Sequence, residues 1–101
     1  MVGRSDRYAD MKLETIYQAV EKAGYSKAEI IEQNRSQPLA LVRQIAVWLA
    51  REGRTYTELA REFDRNHAAC IHSVRVVNEK LSYKDEALID LMSAMGVGEA
   101  K

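Results

Sequence analysis

A chain of 101 residues can bury one hydrophobic core and not two, which sets the expectation of a single module rather than a multidomain enzyme. Hydrophobic residues at 47% and charged ones at 30% exclude a disordered or fibrous chain, and no apolar run approaches the length of a membrane span. The formal charge is zero, with 15 Lys and Arg against 15 Asp and Glu, so any attraction to an anionic partner must come from how the charge is distributed.

That distribution is uneven. Residues 1 to 34 carry five basic and six acidic side chains, residues 35 to 80 eight and five, and residues 81 to 101 two and four, leaving the middle net +3 between acidic flanks. Met1 to Asp10 has neither the apolar stretch nor the cleavage site of a signal peptide, and Cys70 is the one cysteine. The expectation is a cytoplasmic protein without membrane association, internal disulfide or cysteine zinc site.

Residues 1 to 10 read as a flexible N-terminus, 11 to 96 as a helical domain and 97 to 101 as a flexible tail. From Met11 to Ala23, Leu13, Ile16, Tyr17 and Val20 recur at helical spacing, and Gly24 ends the segment. Ser26 and Glu29 have capping-box spacing and open a short helix carrying Ile30 and Ile31, which fades at Gln33-Asn34. Asn34 to Pro38 is a polar loop containing Arg35 and the sole proline. Leu39 to Glu52 then places Val42, Ile45, Ala46 and Leu49 on one face with Trp48 beside them, the expected central core helix, closed by Gly53.

Thr55 and Glu58 form a second capping box, opening a short helix with Leu59, Ala60 and Phe63 facing inward. Asp64 and Arg65 break the apolar pattern, Asn66 is a good N-cap, and a longer helix from about His67 to Leu81 buries Cys70 or Ile71, Val74, Val77 and Leu81. Val74, Val76 and Val77 favour a strand locally, but helical periodicity continues on both sides. Ser82 is expected to cap a last helix with Ala87, Leu88, Leu91, Met92 and Met95, ending at Gly96-Val97-Gly98. The predicted class is an all-α six-helix bundle. Its fourth and fifth helices, joined by a tight polar turn, have the layout of a helix-turn-helix, with Asn66, His67, Ala68 and Ala69 at the end that would approach base edges.

Three separate segments carry a further likeness: the loop with Arg35, the run Val42-Arg43-Gln44-Ile45-Ala46, and Arg65 through Ser73. Together, over roughly residues 12 to 82, they resemble the C-terminal DNA-binding domain of the bacterial replication initiator DnaA, a Trp-repressor-like helical fold. The resemblance implies double-stranded DNA as partner, with Arg35 in the minor groove and Arg65, Asn66, His67, Ala68 and Ala69 at the major groove. It also implies backbone contacts from Arg43, Gln44 and Arg51, and a later contact from His72. Arg54 and Arg75 complete the set of basic side chains expected near phosphates.

The departures matter as much. That family's recognition helix opens Arg-Asp-His-Thr-Thr, whereas Asn66 replaces a carboxylate by an amide that donates as well as accepts, which predicts a changed base partner. Ala68 and Ala69 keep only methyl groups, and Gln33, Asn34, Gln37 and Leu41 stand where the family is often basic. The chain also lacks a Gly-x-x-x-x-Gly-Lys-Ser/Thr segment, so it looks like a freestanding relative without the ATPase, serving replication initiation or its regulation in a host, phage or plasmid setting.

Each of these residues has a plainer reading. Asn66 can be an N-cap alone, and Cys70 and Trp48 fit core positions. His67 and His72 lie about 140° apart around a helix, which disfavours a shared metal, and neither histidine has a patterned catalytic partner. No enzyme activity, cofactor or metal is expected. The alternative to DNA binding is a module that kept the fold while docking a replication or regulatory protein through Asp85, Glu86 and Asp90.

Overall fold

The computed structural model describes residues 11–32 and 36–97. Among these residues the chain forms six helices and no strand: α1 Leu13–Lys22, α2 Lys27–Ile31, α3 Leu39–Arg51, α4 Tyr56–Phe63, α5 His67–Ser82 and α6 Glu86–Ala94. The all-α reading and the helix count therefore match the structure. No helix among the described residues is long and apolar enough to cross a membrane.

Local chemistry places the helix starts. At α2 the Ser26 hydroxyl accepts from the Glu29 N–H at 3.2 Å while the Glu29 carboxylate accepts from the Ser26 N–H at 2.8 Å. Thr55 and Glu58 repeat the exchange at α4, at 3.1 and 2.8 Å. Each box satisfies N–H groups that have no partner within the first turn.

Four helix ends share one closure, in which the N–H of residue i+5 returns to the carbonyl of residue i: Tyr25 to Val20, Arg65 to Ala60, Asp85 to Lys80 and Val97 to Met92. The residue before each donor has positive φ: Gly24 at 94°, Asp64 at 53°, Lys84 at 56° and Gly96 at 78°. Such left-handed closures capture carbonyls the helix cannot satisfy. Asp64 is tolerated there because a short polar side chain fits the left-handed region better than a branched one, and it sets the sharp turn between α4 and α5.

Helix α3 is the hub, packing against all five other helices. Ten of its thirteen residues are buried, so it is enclosed nearly all round rather than along the one face that its periodicity suggests. Leu41, one of the positions where the resemblance implies a basic residue, is part of this core. Trp48 is buried as expected, and its indole N–H donates to Asn78 Oδ1 of α5 at 2.9 Å. Tyr17 and Phe63 pack with ring centroids 6.1 Å apart, and the Tyr17 hydroxyl donates to Glu62 Oε2 at 2.8 Å, holding α4 to α1. Burial of that hydroxyl, reinforced by the Glu62 hydrogen bond and charge, pushes the Tyr17 pKa well above its ordinary value.

Several expectations are corrected. Ser82 is the last residue of α5, with its hydroxyl donating to the Glu79 carbonyl at 2.6 Å; Asp85 caps α6 by accepting from the Leu88 N–H at 2.9 Å. The reversal at Lys84 must be completed before a new helix can start, and a carboxylate at that start favours the helix dipole. Ala87 is exposed, while Leu88, Met92 and Met95 face the core. Of the alternatives Cys70 and Ile71, Cys70 is the buried one, in keeping with its core reading. Val97, expected in a flexible tail, packs on the core and donates its N–H to the Met92 carbonyl at 2.9 Å. The expected flexible segments at residues 1–10 and 98–101, and the fading of α2 at Gln33-Asn34, lie outside the described residues.

Candidate nucleic-acid interface

The α4–α5 unit is fixed from beneath. Leu59 and Phe63 of α4, with Cys70 and Val77 of α5, have no measurable exposure, and Ser73 on the same side of α5 is also buried. The opposite stripe of α5 is open: His67, Ala68, Ile71, His72 and Arg75 are exposed. At 100° per residue these positions sweep about 140° of the helix circumference, beginning at its amino end. The first, second, fifth, sixth and ninth positions of α5 take part, so the open face runs lengthwise along the helix.

At the amino end of that stripe Asn66 is the N-cap, its Oδ1 accepting from the Ala69 N–H at 2.7 Å. The oxygen is thereby committed and the Nδ2 group remains as the side chain's donor. His67 is exposed, and its Nε2 lies 3.0 Å from Thr57 Oγ1 of α4, a contact spanning the two helices of the motif. Thr57 was not singled out by the sequence; its position two residues after the Thr55 cap was the available signal. Ile71 was also missed as a surface residue, although its spacing of four from His67 puts it on the same stripe.

Beside this end lies a cleft of about 850 Å³ between α3 and α5, lined on one side by Ala40, Arg43, Gln44 and Val47 and on the other by Asn66, Ala69, Cys70, His72 and Ser73, with Asp64 and Arg65 at its end. It brings together six of the twelve expected site residues, Arg43, Gln44, Arg65, Asn66, Ala69 and His72. His67, Ala68 and Arg75 belong to the exposed stripe rather than to the cleft. Arg35 lies outside the described residues.

The arginines are placed differently from the simple expectation of free phosphate contacts. Arg43 is 7% exposed; its Nε donates to the Ile30 carbonyl at 2.6 Å and its Nη2 to those of Glu32 at 3.0 Å and Glu29 at 3.4 Å. Arg65 Nη1 donates to the carbonyls of Ile31, Asp64 and Phe63 at 3.0, 3.0 and 3.3 Å, and Nη2 to that of Glu32. Arg51 stacks 4.4 Å from the Tyr56 ring centre and donates to the Arg54 carbonyl at 2.7 Å, while Arg54 reaches the carbonyls of Ala50 and Met11 at 3.2 and 3.0 Å. Orphaned carbonyls at helix ends draw guanidinium groups because their partial negative charge is unscreened there.

Burial lowers the pKa of Arg43, helped by the nearby Arg65 charge and opposed by Glu32. Burial raises that of the Cys70 thiol, against a smaller pull from Arg65. Two cations therefore sit close together at the end of the cleft. Among the described residues no three His, Cys, Asp or Glu side chains gather as a metal site.

A helical bundle whose penultimate pair crosses at a tight left-handed turn, with the second helix anchored below and open above, is a helix-turn-helix protein. Residues 13–77 match the family model described as the bacterial dnaA protein helix-turn-helix, and the chain belongs to that family. It is 34% identical over 71 residues to the chromosomal replication initiator protein DnaA of Caulobacter vibrioides, covering 67% of this chain and 14% of that protein. It is 31% identical over 64 residues to DnaA 1 of Chlamydia muridarum, covering 61% and 14%, and 33% identical over 57 residues to DnaA of Desulfotalea psychrophila, covering 54% and 12%. The chain thus spans a small fraction of the length of these relatives.

Proposed function

We propose that this chain binds double-stranded DNA with sequence preference, α5 lying in the major groove and α4 crossing the backbone, in replication initiation or its regulation. One observation carries the reading: the first nine residues of α5 are open along His67, Ala68, Ile71, His72 and Arg75 while the other side of the helix is locked into the core. A helix presented in this way can enter a major groove without rearrangement. Asn66, His67, Ala68 and Ala69 are the assigned base-proximal residues, with His72 and Arg75 further along the helix and Gln44 at the facing wall of the cleft. Arg35 is assigned to the minor groove by the family resemblance. Arg51 and Arg54, held near the α3–α4 turn, contribute to the field.

Selection from a random duplex library, followed by anisotropy titration of the enriched site, tests the proposal. Enrichment of a common site supports it. No enrichment and no salt-dependent binding would favour the second reading, a protein-docking module, to which the exposed Tyr83 and Ile89 beside Glu86 and Asp90 lend support. In that reading the partner is a replication or regulatory protein, and Asp85, which caps α6 and lies 3.7 Å from Lys80, contributes structurally rather than by contact.

A further inference from the structure

The carboxyl end of α2 exposes consecutive carbonyls of Glu29, Ile30, Ile31 and Glu32, and two guanidinium groups take all four. Arg43 arrives from α3 and holds Glu29, Ile30 and Glu32; Arg65 arrives from the α4–α5 turn and holds Ile31 and Glu32. Arg65 simultaneously holds the carbonyls of Phe63 and Asp64, so a single planar group joins the end of α2 to the reversal that orients α5. A fork of five fixed donors can bridge two helix ends in this manner; a lysine ammonium on a flexible stem cannot hold both in one geometry.

We infer that Arg65 is a positioning residue for base recognition: it sets the α4–α5 turn against the end of α2, and thereby the angle at which the amino end of α5 meets DNA. Arg43 holds the neighbouring carbonyls of the same helix end and shares that of Glu32 with Arg65. The inference rests on the DNA-binding reading and assigns Arg65 a role distinct from the direct groove contact that the family resemblance implies. The physical basis is that a guanidinium already donating to four carbonyls has few N–H groups left for a phosphate.

Salt dependence separates the roles. Each phosphate contact contributes about −0.9 to the slope of log affinity against log salt, so loss of a direct contact makes the slope shallower by about that amount. For Arg65→Gln, positioning predicts an unchanged slope, unchanged affinity for a non-specific duplex, and about tenfold weaker binding to the selected site, comparable with one misread base pair. Arg65→Lys keeps the charge and a phosphate-binding group yet should lose specific affinity to a similar degree. A slope shallower by about 0.9 in Arg65→Gln, or wild-type affinity in Arg65→Lys, overturns the inference. Should Arg65→Gln fail to fold, as judged by circular dichroism, the Arg65→Lys titration alone decides. Failure of the unmodified protein to bind any duplex overturns the DNA reading itself, a different result from binding with an altered slope.

Discussion

On the proposed DNA-binding reading Asn66 combines a helix cap with a base contact in one amide, and two substitutions separate them. Its Oδ1 accepts from the Ala69 N–H at 2.7 Å and caps α5. Asn66→Ala removes that acceptor, which costs about 1 kcal/mol for an N-cap. In a domain of this size about 1 kcal/mol corresponds to a fall in Tm of roughly 4–8 °C, readable by thermal circular dichroism. Asn66→Asp keeps an oxygen for the cap and adds a negative charge at the positive end of the helix dipole, so its Tm should stay at or slightly above that of the parent.

Recognition should respond differently. On that reading, with Oδ1 committed to the cap, the amide would face DNA as a donor and select a base edge that accepts, such as guanine O6 or N7 or thymine O4. The substituted carboxylate instead offers its second oxygen and selects a donor, cytosine N4 or adenine N6. Library selection with the two proteins should therefore differ at one position, by about tenfold in enrichment, within the range of one base-pair mismatch. Identical consensus sequences from the parent protein and the Asn66→Asp variant, or an unchanged Tm in Asn66→Ala, would refute this reasoning.

Two further outcomes follow from the core. The raised Tyr17 pKa means that the folded state keeps its phenol proton where the unfolded chain releases it, so the stability it lends is complete below about pH 10 and is lost as pH rises above that value. Denaturant melts at increasing pH should show this decline, and Tyr17→Phe should flatten it. Asn78→Ala removes the acceptor of the Trp48 N–H and should cost about 0.5–1.5 kcal/mol in urea unfolding, whereas Asn78→Asp, retaining an acceptor, should cost less.

Much of this molecule is written locally. Helix starts at Ser26 and Thr55, the cap at Asn66 and the stop at Gly24 depend on residues within one turn of each other, and a linear reading captures them. The order of helices and the α4–α5 turn follow from the same short-range signals, as did the family likeness confirmed over residues 13–77. Ser82 misled because serine is a good cap wherever a helix could begin; whether one begins there depends on where α5 stops packing, and Leu81 still lies against the core.

The fate of the arginines was decided only in three dimensions. Arg43 and Arg65 stand 11 and 33 residues from Glu32, whose carbonyl they share, and no spacing rule connects them. Periodicity could assign α3 a buried face, yet enclosure on nearly every side required the other five helices to surround it. The sequence by itself determined which segments are helical, where most of them start and which residues head α5. Tertiary packing decided which cations lie against carbonyls and which stay open on α5, because a guanidinium settles where unsatisfied oxygen is nearest in space.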